Sequence, residues 1–190
     1  VGKPTAADRD LADRLAISLA IAGQKVPASV NRTAGRRPAD LDGWERLLAA
    51  GGSQAAGRRL FFHNAGPQCA RCHMVNGRGR RLGPDLSLIA RSRNRRQLLE
   101  AILLPSREVA PQFTSWTLVT TDGRVLSGVI VYENRDRLTI EDAQGKQTNL
   151  ANTEVELRTP EKTSLMPEKL IDHLAISELR DLLAFLETLK

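Results

Sequence analysis

Over roughly the first hundred residues, apolar side chains recur every third or fourth position, the spacing of one helix face. Leu11, Leu15, Leu19 and Ala22 align behind Thr5, which has Asp8 three residues on, and Gly23 follows. That pattern predicts a helix over about 6–22 with Thr5 as its cap. Residues 24–39 hold Pro27, Gly35 and Pro38 without periodicity and read as a linker. A short helix is expected around Leu41, Trp44, Leu47 and Leu48, ending before Gly51-Gly52. A third is expected after Ser53, with Leu60, Phe61 and Phe62, and a fourth from Asn94, with Gln97 as its capping partner, to Pro105.

Between Phe113 and Arg158 the period shortens to two. Trp116, Leu118 and Thr120 precede Asp122-Gly123, and Val125, Val129 and Val131 follow it, which predicts a β-hairpin. Leu138 to Ile140 and Val155 to Leu157 add two short strands on either side of a Gln144-Gly145 turn. The helical period then returns: Leu179, Leu182, Leu183, Leu186 and Leu189 share a face of a last helix, with Ser177 as the expected cap. The expected fold is therefore mainly α, with a small antiparallel β-sheet inserted at about 113–158. No internal repeat is visible.

At 190 residues, the chain has room for one domain and a small companion but not for two large lobes. Its composition, 41% hydrophobic and 26% charged, is that of a folded chain, and aliphatic residues must build the core because aromatics are only 4%. No stretch approaches the roughly 20 apolar residues that span a bilayer, so a soluble protein without a transmembrane segment is expected. The first residue is Val1, which leaves room for a removed signal peptide or an upstream region.

Two cysteines exclude a disulfide framework. They stand in Cys69-Ala70-Arg71-Cys72-His73, the C-x-x-C-H signature of covalently attached haem c. Thiols three residues apart lie about one turn from each other and reach two vinyl groups of one porphyrin edge, while the adjacent histidine presents its imidazole to the iron. A zinc site would want a second Cys/His pair, and His63 and His173 stand apart; His63 reads as a helix-end residue and His173 as a surface or interface one. A thioredoxin-like pair would follow a strand, not a helix. For the other axial position, Met74 adjoins His73 and cannot reach the opposite face. Met166, in Ser164-Leu165-Met166-Pro167 before the last helix, is the candidate, against the ordinary role of methionine as an adaptable core residue.

Gly57-Arg58-Arg59-Leu60-Phe61, the C-x-x-C-H motif, Gly83-Pro84-Asp85-Leu86, Ser164-Leu165-Met166-Pro167 and the last helix together resemble a monohaem cytochrome c domain. The Leu104-Pro105-Ser106 helix end and the hairpin from Thr121 to Gly128 more narrowly resemble a planctomycete and verrucomicrobial haem-binding domain family. The resemblance spans about 53–190. It divides the chain into a cytochrome c domain over 51–190 and a helical extension over 1–50, the possible tail of an upstream region. It also implies that the Pro84 carbonyl accepts the proximal imidazole Nδ1–H, and that location is periplasmic or otherwise exported. Trp116 packs at the haem edge, donates to a propionate or is simply core.

Lys+Arg 28 against Asp+Glu 22 gives a net charge of +6. From Arg71 to Arg96, eight arginines face one acid, Asp85, a local +7. Such a run suits haem propionates, with Arg81 placed in the haem environment, and an acidic redox partner; it also fits an ordinary solvated face. Two functions compete. One is an electron carrier, not an enzyme itself, whose His73/Met166-ligated iron cycles Fe(II)/Fe(III) and accepts electrons from a dehydrogenase. The other is an open-site haem protein, a peroxidase or a gas or redox sensor. Nucleic acid is not an expected partner, because interleaved aromatics are missing.

Overall fold

The computed structural model describes residues 3–30, 37–49, 51–63 and 67–190; part of the expected linker, residues 31–36, lies outside them. The described residues separate into two compact units. One comprises 1–69, 87–103 and 169–190, and the other 70–86 and 104–168.

The first unit is helical: α1 (Ala6–Ile21), α2 (Leu41–Leu47), α3 (Gln54–His63), α4 (Arg95–Leu103) and α5 (Ile176–Leu186). Local side-chain caps set several starts. Thr5 Oγ1 accepts from the Asp8 backbone N–H at 3.2 Å while the Asp8 carboxylate accepts from Thr5 N at 2.8 Å, and the same reciprocal pair joins Asn94 and Gln97 ahead of α4. The centre of the unit is α3 against α5. Gly57 lets the two backbones touch, since a Cβ there would stand 1.9 Å from the Asp181 carbonyl oxygen. Beside it Phe61 meets Phe62 and Phe185 edge-on, at centroid distances of 5.0 and 5.7 Å. Leu48, Phe61, Leu99, Leu179, Leu182 and Leu183 are almost fully buried, each contributing roughly 1.5–3 kcal/mol of apolar burial.

The α5 start differs from expectation. Its cap is Ala175, not Ser177, because the first amides are satisfied from elsewhere. Buried Asp13 of α1 accepts from Ile176 N at 2.7 Å, and Glu178 reaches back to Ala175 N at 2.9 Å. Arg37 secures the same corner by donating to Leu174 O at 2.6 Å, Ile171 O at 2.8 Å and Asp13 at 3.3 Å.

The second unit is built from strands. β1 (Met74–Val75) and β2 (Arg78–Gly79) form a hairpin around Asn76 and Gly77, both at positive φ, as a tight Asn-Gly turn requires. β3 (Ser115–Thr120), β4 (Val125–Glu133), β5 (Arg137–Glu141), β6 (Gln147–Ala151) and β7 (Val155–Pro160) form a five-stranded antiparallel sheet in the order β6-β5-β4-β3-β7. The sheet has its own core: Leu118, Leu138, Ile140 and Leu150, with Trp116, Leu126, Ile130 and Val155 packed against them.

The fold is therefore not mainly α. Helix accounts for about 40% and strand for about 20%, and the strands close a separate hydrophobic core instead of decorating a helical one. Two pairings escape the alternation pattern. β6 opens with three polar residues and buries only Leu150, and β1–β2 is only two residues deep on each side.

Candidate functional site

Cys69–Arg71 forms one 3-10 turn, Cys72 continues as a turn residue, and His73 leads directly into β1. Neither cysteine is in a disulfide, and both are half-buried. Cys69 falls in the helical unit, while Cys72, His73, Pro84, Trp116 and Met166 fall in the sheet unit.

His73 is held by main chain. Its Nδ1 lies 2.9 Å from the Pro84 carbonyl oxygen, so the ring must carry its proton on Nδ1 to donate there. Two glycines make the fit. A Cβ on Gly83 would stand 2.9 Å from His73 Cε1 and 3.1 Å from Nδ1, and one on Gly79 would stand 2.2 Å from the His73 carbonyl oxygen. The loop closes through Gly83 N donating to Cys72 O at 2.7 Å and Leu86 N donating to Met74 O at 2.8 Å. Burial pushes the imidazole below its ordinary pKa, the Pro84 bond opposing in part. The outcome is a neutral ring with Nδ1 committed and the Nε2 lone pair free.

Burial pushes the Cys72 thiol up, with Arg71 and Arg80 opposing and Glu141 adding to the rise. A free, protonated thiol one residue from a neutral imidazole with an uncommitted Nε2 is a donor set that suits covalent haem c: sulfur for a porphyrin side chain and nitrogen for iron.

Met166 is half-buried in the loop before the last helix. The loop is tied in place by two serines: Ser164 N donates to Ser106 Oγ at 3.1 Å, and Met166 N donates to Ser164 Oγ at 3.1 Å. Trp116 sits on β3 against the sheet core, and the Arg158 guanidinium covers its ring at 4.4 Å. Arg158 in turn bonds Glu133 through both nitrogens, at 2.6 and 3.0 Å. Arg81 is exposed. His173 is exposed in a 3-10 turn of the helical unit, and the His63 side chain lies outside the described residues.

The arginine run is not a uniform field of free cations. Arg80 pairs with Glu141 at 2.7 Å, Arg95 with Glu187 at 2.5 Å, and Arg96 with both Asp42 and Glu45. These partners come from distant segments, so a count of local charge misses them. Arg80 and Glu141 were not singled out by any motif: Arg80 is one of eight arginines, and a glutamate closing a strand carries no mark of its buried partner.

Residues 54–115 match the model of the Cytochrome c family. That stretch, which takes in α3, both cysteines, His73, Pro84 and α4, supports a c-type cytochrome domain, whose cofactor is covalently attached haem c and whose general role is electron carriage. Trp116 and Met166 lie beyond the match. No curated protein matches the chain. Among the described residues, no helix is long and apolar enough to cross a membrane.

Proposed function

We propose that this protein is a one-electron carrier in which Cys69 and Cys72 form the thioether links and His73 and Met166 are the two axial ligands. The observation that carries the reading is the Nδ1 contact of His73 with Pro84, which leaves Nε2 directed to coordination. Met166 is supported by its loop: the Ser106 and Ser164 bonds and the following Pro167 restrict the backbone that bears the thioether. When bound, the haem supplies a reversible Fe(III)/Fe(II) couple, and a thioether ligand favours the reduced state. The chain positions both ligands and sets the imidazole tautomer.

In this reading residues 51–190 make up the cytochrome domain, of the planctomycete and verrucomicrobial type, and residues 1–50 a helical extension. The electron donor is a dehydrogenase with an acidic face, and exposed Arg81 is available to a propionate or to that partner. Covalent haem attachment fits a periplasmic or otherwise exported protein.

The test is optical. The oxidised protein is expected to show the weak far-red charge-transfer band of methionine–Fe(III) ligation, and Met166→Ala to abolish it. Retention of the band in Met166→Ala, or its absence from the unaltered protein with rapid CO binding to the reduced form, would replace this reading with an open-site haem protein.

A further inference from the structure

Glu141 is a carboxylate that the fold goes to some length to keep. It ends β5, is only 5% exposed, and its two oxygens are each satisfied at 2.7 Å, Oε1 by Arg80 Nη2 and Oε2 by Gln147 Nε2. Arg80 also donates to the Gly145 carbonyl at 3.2 Å, and its guanidinium fills the space above Gly145, where a Cβ would stand 2.2 Å from Nη1. The β5–β6 turn is therefore shaped around this arginine.

The other end of Arg80 leads to the haem-attachment loop. His73 runs directly into β1, β2 returns through Gly79 with its Cα pressed against the His73 carbonyl, and Arg80 is the next residue. All of these residues belong to the sheet unit. Arg80 thus puts a positive charge on the segment that follows the proximal ligand and ties it to a buried negative charge on β5.

We propose that the Arg80–Glu141 pair is a positioning and potential-setting element for the haem, through which the five-stranded sheet governs the redox poise of the iron. The inference rests on haem attachment at Cys72 and His73, and not on Met166 or on the partner. A charge buried in protein acts at the iron with little screening, and its sign decides which oxidation state gains. Removing Arg80 leaves the Glu141 carboxylate uncompensated and favours Fe(III). Removing the carboxylate leaves an arginine that is nearly half exposed, which favours Fe(II) by a smaller margin. Removing both restores near neutrality.

The experiment is potentiometric titration of Arg80→Gln, Glu141→Gln and the double variant in the haem-loaded protein, with the pyridine haemochrome spectrum to count attached haem and the far-red band to report methionine ligation. A downward shift in Arg80→Gln, a smaller upward shift in Glu141→Gln, and a double variant closer to the parent than Arg80→Gln is the expected result, persisting at high salt. Arg80→Lys is expected to recover most of the potential, and if Arg80→Gln retains no haem the upward shift of Glu141→Gln against the parent and Arg80→Lys decides the comparison. Unchanged potentials, or single variants that both shift the same way without recovery in the double, would reduce the pair to a structural clamp. An unaltered protein that shows no haemochrome would instead overturn haem attachment, a failure the titration cannot be confused with.

Discussion

His73 Nδ1 and the Pro84 carbonyl oxygen, eleven residues apart in the chain, meet at 2.9 Å across the bare backbone of Gly83. The ligand is oriented by a main-chain acceptor, so the side chain of Pro84 matters less than the absence of one at Gly83. Gly83→Ala is expected to displace the imidazole, cost about 1–3 kcal/mol of stability in the haem-free protein and lower haem retention. Pro84→Ala keeps the carbonyl and is expected to do far less. Urea unfolding together with haemochrome absorbance per chain distinguishes the two; equal losses would mean that the proline ring and not the carbonyl holds the histidine.

In the helical unit, Gly57 occupies the crossing of α3 and α5, where a Cβ would stand 1.9 Å from Asp181 O and 2.8 Å from Phe185 Cβ. Gly57→Ala improves intrinsic helix propensity by about 1 kcal/mol, yet it must force the helices apart. A net loss of about 2 kcal/mol or more in urea unfolding is expected. A stabilised variant would show that the two backbones do not meet there.

Asp13 carries two tasks at once, accepting from the first amide of α5 and pairing with Arg37. Asp13→Ala leaves an orphaned amide and a part-buried guanidinium and is expected to cost about 2–3 kcal/mol. Asp13→Asn keeps an acceptor and should lose roughly half as much. If Asn and Ala behave alike, the charge pairing with Arg37 dominates over the cap.

The Arg158 hydrogen bonds, and secondarily its charge, hold the Glu133 carboxyl below the usual carboxylate range despite some desolvation. A lowered folded pKa adds stability that is fully present above the unfolded value and is lost as pH falls through the folded one. Both side chains are more than a third exposed or nearly so, which limits the effect to about 0.5 kcal/mol. Glu133→Gln is therefore expected to be slightly less stable than the parent at neutral pH and equal to it near pH 2. A difference independent of pH, followed by thermal unfolding across that range, would assign the loss to packing on Trp116.

What could be read from the chain follows the range of each interaction. Reciprocal caps three residues apart, Thr5 with Asp8 and Asn94 with Gln97, are written in adjacent letters, and so are the Asp122-Gly123 turn and the leucine face of α5. The C-x-x-C-H motif is local in the same sense, and the haem c it announces agrees with the family match. Ser177 looked like the cap of α5 because serine is a common cap; the actual cap is Ala175, which depends on Asp13, more than 160 residues away. β6 carries no alternation signal because Gln147, Thr148 and Asn149 pair through backbone while only Leu150 enters the core. The sheet's weight in the fold is hidden in the sequence for a related reason: each strand is weak alone, and the core appears only when they are paired. The acids that pair with the arginines lie tens of residues away, beyond the reach of any local charge count.

The helical unit is assembled from three stretches of chain, 1–69, 87–103 and 169–190, and the last of them brings α5. During synthesis the nascent chain therefore exposes Phe61, Phe62 and the α3 groove while all of β3 to β7 is being made, because their cover does not yet exist. The sheet unit has no such debt, since 70–86 and 104–168 are complete before residue 169 emerges. Whatever compartment it folds in, a chain that emerges from its N-terminus completes the sheet unit first, and the helical unit closes only when 169–190 joins it.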